Sequence, residues 1–238
     1  MAEDNFTDCA GVLDASALVR VATRTTTPPN GGGLATRLLR SLTNTPGVYA
    51  QHYNGVDFDP LGANIGAEMI GCIKRGISGG TTGFAPFIFT LLQGNNVANE
   101  AYVLGLADSE PSHLVLRKAA LSAGLPDLAA GTQGILRRST ITFARDTWVQ
   151  VKVGAKVNSP GGIPSDRVVY VEYNNLAVNP VDAPVWLPVP GMADFIDDAA
   201  GFASGSPGFT EGRMGYGMYT EADARNAFFD YFSIIGDF

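Results

Sequence analysis

The acidic residues are the first candidates for chemistry in this sequence, because a glycosidase needs two carboxyl groups that flank the bond it cleaves. A β-strand presents residues i, i+2 and i+4 on one face, so three acidic residues at this spacing would place their carboxyl groups together. No triplet of this kind occurs in the chain. The densest acidic run, Asp194 to Asp198, has the spacing of a turn or a helix cap. We interpret it as a solvated turn, with cation binding as the alternative, and expect no hydrolase.

Residues for nucleophilic catalysis are equally scarce. The chain has two histidines, His52 and His113, and no serine stands in a Gly-x-Ser-x-Gly elbow. His113 lies in a strand-like run, which is typical of a hydrogen-bonded or surface histidine. The glycine-rich segment 79–83 lacks the lysine and the following helix of a phosphate-binding loop, so it predicts a hairpin turn. From these residues we expect no enzymatic activity.

Composition restricts the class of protein further. The chain has 29 Gly and 14 Pro among 238 residues, and both residue types weaken helix interiors, which argues against a helix bundle. A hydrophobic fraction of 45% with only 16% charged residues excludes an intrinsically disordered chain. The net charge of −7 and the scattered basic residues argue against nucleic-acid binding. The low charge also indicates a surface that associates readily, as in a homo-oligomer.

Cysteine usage and the start of the chain indicate where the protein is made. Cys9 and Cys72 are too few for a disulfide framework and lack metal-ligand spacing, so we expect two reduced thiols. The acidic start that follows Met1 shows no apolar signal segment. The sequence contains no run of about 18 apolar residues, so it predicts no membrane span. We therefore expect synthesis in the cytoplasm, no signal-peptide secretion and no interaction with a membrane.

From about Gly62 onward, apolar residues recur with a period of two, which predicts β-strands. The clearest alternation runs from Trp148 to Val157, and Pro86 within another apolar run predicts an edge strand or a bulge. Nine short strands with turn signals between them predict one all-β sandwich or jelly roll. The predicted strands are 65–74, 84–92, 101–106, 113–118, 136–143, 148–157, 167–173, 214–219 and 227–235.

The first sixty residues differ in pattern, and we predict an N-terminal arm and linker over 1–60, followed by the sandwich over 61–238. Asp14 and Ser16 can cap a short helix around Leu18, and segment 25–33 has the composition of a linker. The leucine spacing of segment 34–42 predicts a short helix or an arm that packs on a neighbour. The apolar residues of the arm need burial, either on a partner or on their own sandwich; they are Phe6, Val12, Leu13, Leu18, Leu34, Leu38 and Leu39.

The C-terminal third carries a pattern that resembles a known fold. Trp148 begins an alternating strand, segment 212–217 (Gly-Arg-Met-Gly-Tyr-Gly) combines glycines with an aromatic, and segment 227–232 reads Ala-Phe-Phe-Asp-Tyr-Phe. In this order the segments resemble the concanavalin A-like lectin/glucanase sandwich, also called laminin G-like, over roughly 62–238. The resemblance implies a jelly-roll β-sandwich in which glycines let two curved sheets approach and aromatics fill the space between them. A sandwich of this type with a short arm also resembles structural proteins of tailed-phage particles.

The resemblance also implies where a sugar would bind. Related lectins use rim loops that carry Asp, Asn and an aromatic residue, sometimes around Ca²⁺. The matching residues here are Asn174, Asn175, Asp182 and Trp186. The alternative is that the proline-rich surroundings of Trp186 form a packed crossover loop, since amphipathic aromatic residues usually bury their rings. The resemblance leaves Ca²⁺ open as a cofactor and implies no other.

We therefore predict a non-enzymatic structural or interaction protein, resembling a capsid decoration or tail accessory protein of a phage virion. Its expected partners are other virion proteins or further copies of itself, held by shape and apolar contact. The alternative is a carbohydrate-binding, lectin-like module with the same fold and a glycan as its partner. A glycan-cleaving enzyme ranks last because the paired carboxylates are missing from any single strand.

Overall fold

The computed structural model describes fifteen strands and, within the same residues, no helix. The described residues are 11–12, 18–19, 36–40, 47–52, 66–75, 85–93, 99–107, 111–120, 135–157, 167–197, 208–209, 212–220 and 226–235. The strands are β1 Gly11–Val12, β2 Leu18–Val19, β3 Thr36–Arg40, β4 Gly47–His52, β5 Gly66–Arg75, β6 Ala85–Leu92, β7 Glu100–Leu106, β8 Ser112–Ala120, β9 Ile135–Phe143, β10 Trp148–Val157, β11 Arg167–Asn174, β12 Trp186–Pro188, β13 Phe195–Asp197, β14 Arg213–Thr220 and β15 Asn226–Ile235.

The strands form two antiparallel sheets that pack face to face. Sheet I has the order β1-β4-β14-β6-β7-β8-β9, and sheet II has the order β12-β11-β10-β5-β15-β3-β2, with β13 paired to β11 beside this path. Many neighbours within a sheet are far apart in the sequence: β14 lies between β4 and β6, and β15 lies between β3 and β5. This architecture is the jelly-roll sandwich that the sequence predicts.

Alternation along the strands separates the core from the outer face of each sheet. On β10, Val149, Val151 and Val153 are buried in the same core cluster as Leu104 and Tyr216 of sheet I. The residues between the valines point to the opposite side of sheet II. Burial of apolar surface stabilises the sandwich by about 25 cal/mol per Å², so the register of β10 is fixed by its apolar face.

The nine strands predicted from periodicity are confirmed as β5 to β11, β14 and β15, with bounds shifted by a few residues. The edge position predicted from Pro86 is wrong, because β6 lies between β14 and β7 in the interior of sheet I. Pro86 is the second residue of β6, and the pairing with β7 begins one residue later, at Phe87. A proline at the start of a strand removes little from the hydrogen-bond ladder, which explains why this position tolerates it.

The helices predicted near the N-terminus are wrong where the structure describes those residues. Leu18 and Val19 form β2, and segment 36–40 forms β3, which pairs with residues 226–229 of β15. Isolated short helices are marginal in water, whereas pairing with an existing sheet gives each residue backbone hydrogen bonds. The leucine spacing that predicts a helix was therefore a weaker determinant than the backbone pairing that the sheet offers.

Four of the seven apolar arm residues belong to strands that the structure describes. Phe6, Leu13 and Leu34 fall outside the described residues, and the other arm residues belong to β1, β2 and β3, namely Val12, Leu18, Leu38 and Leu39. Strands β3 and β4 pair with β15 and β14, and the division at residues 60/61 stays a prediction. Across the described segments, no helix is long and apolar enough to span a membrane.

Candidate functional site

Polar and aromatic side chains gather on the outer face of sheet II. Alternation places Glu68 of β5, Lys152 of β10 and two residues of β11, Tyr170 and Glu172, on this face, and Trp186 of β12 joins them. The register brings them together, because Lys152 pairs with Glu172, while Glu68 and Tyr170 flank the same residue of β10 from either side. We call these five residues the outer-face cluster.

Lys152 lies at the centre of the outer-face cluster. Its Nζ is 2.7 Å from Glu172 Oε2 and 3.7 Å from Glu68 Oε1, and it lies 4.7 Å from the centroid of the Trp186 ring. One ammonium thus neutralises only one of two carboxylates, and the aromatic face adds a cation–π contact. The Lys152 side chain is 11% exposed and that of Glu172 is 28% exposed, so the cluster is accessible at the carboxylate end.

Tyr170 closes the other side of the outer-face cluster. Its hydroxyl donates a hydrogen bond to Glu68 Oε1. Burial of the phenol, followed by this hydrogen bond and the charge of Glu68, raises the pKa of Tyr170 well above its usual value, so the hydroxyl remains a donor. The ring lies directly over Gly154, where a Cβ atom would overlap it. Lys156 Nζ lies 5.1 Å from the ring centroid.

A loop is anchored beside the outer-face cluster by two buried amides. Asn174 is 2% exposed, and its Nδ2 donates to Gln150 Oε1 at 2.7 Å while its Oδ1 accepts from the Val185 N–H at 3.2 Å. Gln150 Nε2 in turn donates to the Val181 carbonyl at 3.0 Å. These bonds satisfy the buried amides, as their burial requires, and they fix the base of segment 175–185 to the sheet.

A cleft of about 450 Å³ opens where β10 begins and β11 ends. Its lining includes Trp148, Tyr173 and Asn175, together with Asp146, whose carboxylate lies 2.7 Å from Lys74 Nζ. Aromatic faces with a few polar groups are typical of small-ligand sites. Within the described residues, the cleft is an alternative to the outer-face cluster as a surface with the dimensions and side chains to bind a small ligand.

Of the four residues predicted to bind a ligand, Asn174 and Trp186 lie opposite each other on β11 and β12, and Asn175 follows Asn174. Asn174 and Asn175 line the cleft, but the amide of Asn174 is committed to the loop, and Asn175 Oδ1 accepts from the Ala177 N–H at 3.2 Å. Asp182 is exposed in the anchored loop. Trp186 belongs to the outer-face cluster and forms part of a short strand. Contact of these four residues with a glycan stays a prediction.

The described residues show no preformed Ca²⁺ site. They contain no group of three or more His, Cys, Asp or Glu side chains that could hold a metal ion. The amide oxygens of Asn174 and Asn175 each accept one backbone hydrogen bond, so each keeps only one lone pair for a cation such as Ca²⁺. No step of the chemistry below depends on a metal.

A second polar cluster lies inside the sandwich. Lys118 of β8 and Asp197 of β13 form an ion pair at 2.7 Å, and both side chains have no exposed surface. Tyr102 of β7 donates to the same Asp197 Oδ2 at 2.6 Å, and the Phe209 N–H donates to the Tyr102 hydroxyl at 3.2 Å. Arg167 of β11, also fully buried, donates from Nε to the Phe209 carbonyl at 2.8 Å. We call Lys118, Asp197 and Tyr102 the interior cluster.

The interior cluster corrects the interpretation of the acidic run 194–198. A solvated turn was expected there, but Asp197 is completely buried and pairs in register with Arg167. Residues 195–197 form β13 with the burial pattern intermediate, exposed, buried. The strand therefore alternates, and alternation turns Asp197 towards the interior while Ile196 faces solvent.

Sequence reasoning missed both clusters because their members are distant along the chain. Glu68, Lys152 and Glu172 come from three strands, and Lys118 and Asp197 come from two sheets. One signal was present: on the predicted strands, polar residues alternate with the apolar core residues, so the lysines and carboxylates of neighbouring strands share a face. Alternation fixes the face on which each residue lies but not which residues of neighbouring strands lie opposite each other, and this pairing decides which of them meet.

Comparisons with known proteins bear on the fold. No family model and no curated protein matches the chain. Among solved structures, the chain is similar to a marine PL-14 alginate lyase from Aplysia kurodai, with a TM-score of 0.50, 10% identity and 85% and 83% of the two chains covered. It is also similar to a GH43 glycoside hydrolase (TM-score 0.47, 11% identity, 87% and 35% covered). A third is the exoplasmic/lumenal domain of VIP36 in a Ca²⁺/Man3GlcNAc-bound form (TM-score 0.44, 14% identity, 82% and 78% covered).

These similarities correct one prediction and confirm another. The prediction of no enzymatic activity is wrong as an inference from the fold, because an alginate lyase is among the proteins that share it. The sequence argument asked for paired carboxylates on one strand, whereas register gathers Glu68 and Glu172 from two strands around Lys152. The two antiparallel sheets, their strand order and the similarity to the PL-14 alginate lyase identify the fold as a jelly-roll sandwich of the concanavalin A-like type.

Proposed function

We propose that this protein binds a glycan across the outer face of sheet II, with the outer-face cluster as the contact surface. The observation that carries the proposal is the placement of Trp186 and Glu172 around Lys152, half-buried on an otherwise well-packed sheet. An aromatic face receives the apolar side of a sugar ring, and carboxylate oxygens accept hydrogen bonds from sugar hydroxyls. Lys152 supplies donors and holds both carboxylates in place.

The existing contacts pre-organise this surface. The ammonium of Lys152 fixes Glu172, and the hydroxyl of Tyr170 fixes Glu68, so a ligand would not have to order these side chains. A pre-organised site loses less conformational entropy on binding than a mobile one. The anchored loop 175–185 is held beside the same face by the hydrogen bond from Gln150 to the Val181 carbonyl. The loop therefore forms one side of the proposed site.

Glycan-array screening followed by calorimetry tests the proposal. We expect saturable binding to at least one glycan class, and we expect Trp186→Ala to lower the affinity at least about tenfold, which corresponds to about 1.4 kcal/mol. The matched control is Leu187→Ala, which changes the next residue of β12, 41% exposed and directed to the other side of the strand. Binding that survives Trp186→Ala unchanged, or no binding to any glycan with or without Ca²⁺, would contradict the proposal.

The cleft where β10 begins and β11 ends is the competing position for the same ligand. Tyr173→Ala and Trp148→Ala change residues that line the cleft and leave the outer-face cluster intact. We expect either variant to lower the affinity by less than Trp186→Ala does. The reverse order would move the binding site to the cleft.

Glycan cleavage at the outer-face cluster is the second candidate function. The observation that favours it is the presence of two carboxylates and a protonated phenol around one ammonium, since carboxylic acids and carboxylates serve as acid and base in glycoside cleavage. Incubation with the glycans found on the array, followed by chromatography of the products, tests it. Shorter products that disappear with Glu68→Gln and with Glu172→Gln, while binding persists, would establish cleavage.

Placement in a phage virion remains a separate proposal that rests on the resemblance alone. Its expected partners are virion proteins or further copies of this chain. Sedimentation of the protein with purified particles tests it directly, and a protein that never sediments with particles would contradict it.

A further inference from the structure

The interior cluster brings an amine and a carboxyl group together under unusual conditions. Lys118 Nζ is 2.7 Å from Asp197 Oδ2, and neither side chain has any exposed surface. The Phe209 ring lies against the amine, 4.8 Å from Nζ to the ring centroid. Because Lys118 belongs to sheet I and Asp197 to sheet II, the pair spans the interior of the sandwich.

We propose that Lys118 and Asp197 form an intramolecular amide bond between Nζ and Cγ after the chain has folded. Transfer of one proton within the ion pair gives an amine and a carboxylic acid in contact. The lone pair of Nζ attacks Cγ, the bond from Cγ to one carboxyl oxygen breaks, and that oxygen leaves with two hydrogens from the original ammonium as water. The step is a condensation, so nothing is oxidised or reduced and no co-reactant is needed.

Tyr102 distinguishes the two carboxyl oxygens of Asp197. Its hydroxyl donates to Oδ2, and burial together with the neighbouring carboxylate raises its pKa well above the usual value, so it stays protonated. A donor on Oδ2 draws electron density from Cγ and makes the carbon more electrophilic. Oδ1 is buried and has no hydrogen-bond partner among the residues that the structure describes. Oδ2 is therefore the leaving oxygen, because it contacts the Lys118 ammonium that supplies both hydrogens, and Oδ1 remains as the amide oxygen.

Burial supplies the driving force for the condensation. Two charges removed from water carry a desolvation penalty that their mutual attraction repays only in part. The amide replaces both charges with a neutral group, and the released water moves to bulk solvent. The fixed contact also turns a reaction between two molecules into one within a single structure, which raises the effective concentration of the amine by orders of magnitude.

Two other lysine–carboxylate pairs serve as internal controls. Lys74 with Asp146 and Lys152 with Glu172 show the same nitrogen–oxygen distance of 2.7 Å. Their carboxylate side chains are 44% and 28% exposed, so water solvates the ionised forms. We expect no amide at either pair, because distance alone does not remove the stabilisation of the charges by water.

Mass spectrometry of the folded, purified protein tests the proposal. We expect an intact mass lower than the sequence mass by one water molecule. After denaturation and trypsin digestion, we expect a branched peptide that joins 118–137 to 168–213, because an acylated Lys118 is no longer a cleavage site. A folded protein with the full sequence mass, and with Lys118 and Asp197 in separate peptides, overturns the proposal.

Substitutions at the pair identify the leaving group. Asp197→Asn should lose ammonia instead of water, which gives a distinguishable mass shift. Lys118→Arg keeps the positive charge but cannot form this amide under the same conditions, so it should show the full sequence mass. Tyr102→Phe should lower the cross-linked fraction several-fold while circular dichroism still shows a β-sandwich. Loss of water that persists in Lys118→Arg would place the modification elsewhere and overturn the assignment.

Discussion

The outer-face cluster and the interior cluster contain the same chemical pair in two environments. Lys152 and Glu172 on the outer face and Lys118 and Asp197 in the interior are each separated by 2.7 Å. The first pair keeps part of its surface in contact with water, and the second keeps none. In the first pair, solvent stabilises the ions and leaves the carboxylate available to a ligand. Around Lys118 and Asp197, the protein alone must stabilise the charges, so this pair has a structural role. Each member can react mainly with the other, as in the amide bond that we propose.

The comparison shows that burial, more than distance, decides what a lysine–carboxylate pair contributes. Exposed pairs are worth about 0–1 kcal/mol, whereas removal of one partner from a buried pair is strongly destabilising. A tyrosine hydroxyl donates to a carboxylate in both clusters, Tyr170 to Glu68 and Tyr102 to Asp197. The shared chemistry makes matched substitutions informative.

The largest expected effect is that of Asp197→Ala. Its removal leaves Lys118 buried without this carboxylate, and we expect the free energy of unfolding to fall by about 3–5 kcal/mol. Glu172→Ala, the matched change on the outer face, should cost less than about 1 kcal/mol, because the Glu172 side chain is 28% exposed and Glu68 stays 3.7 Å from the Lys152 ammonium. Chemical denaturation of both variants measures the difference. Equal losses of stability would remove the distinction between the two clusters.

Asn174→Ala should have the next largest effect. The buried amide links Gln150 to the backbone of the anchored loop, and its loss leaves buried groups unsatisfied, which costs about 1–3 kcal/mol. The same change should increase protease cleavage within 175–185. Asn175→Ala is the control, because its side chain is exposed. If Asn174→Ala lowers glycan affinity without any loss of stability, Asn174 is instead a ligand contact.

The pH dependence of stability compares the two tyrosines. Burial raises the pKa of Tyr102 and of Tyr170 in the folded protein, so their contribution is complete below the unfolded value near 10 and is lost as the pH rises above it. Above that value the unfolded chain has released protons that the folded protein still holds, and each tyrosine adds about 1.4 kcal/mol of lost stability per pH unit. Tyr102→Phe and Tyr170→Phe should each reduce this slope. Urea denaturation between pH 9 and about 11 measures this slope of stability against pH. A slope unchanged in both variants would contradict the raised pKa of the two tyrosines.

Gly154→Ala should have a small effect on stability and a larger one on binding. A Cβ at this position overlaps the far end of the Tyr170 ring, which can swing outward, so we expect a loss of about 1 kcal/mol. The hydrogen bond to Glu68 would break, and the affinity for a glycan should fall several-fold more than the loss of stability alone explains. Calorimetry and denaturation on the same sample check both. A loss of stability without a change in affinity would separate Tyr170 from the binding surface.

The sequence predicted the strands well where one face is buried. β10 and β11 alternate over most of their length, and the hydrophobic face that fixes their register is visible in the sequence. The sequence-based prediction failed at β3, where leucine spacing favoured a helix. The strand forms by pairing with β15, whose residues lie almost two hundred positions away. Local propensity is a weak guide when a sheet edge offers backbone partners.

The candidate site was predictable only in part. Trp186 was identified from its residue type, and it lies in the outer-face cluster, while Asp182 lies in an exposed turn. Lys152 and Glu172 were visible as polar residues on predicted strands, but their meeting depends on the register between β10 and β11. The burial of Asp197 depends on contacts with the opposite sheet, which no local pattern contains.

The anchoring of segment 175–185 from beneath has an evolutionary consequence. Its hydrogen bonds are made by Gln150 and Asn174 on the sheet, whereas its tip at Val178 is 74% exposed. Substitutions and short insertions at such a tip leave the sheet unaltered and are tolerated. Segment 175–185 can therefore change in sequence and length while the sheet stays the same. Related chains with the same sheet would then differ in the ligands that they bind.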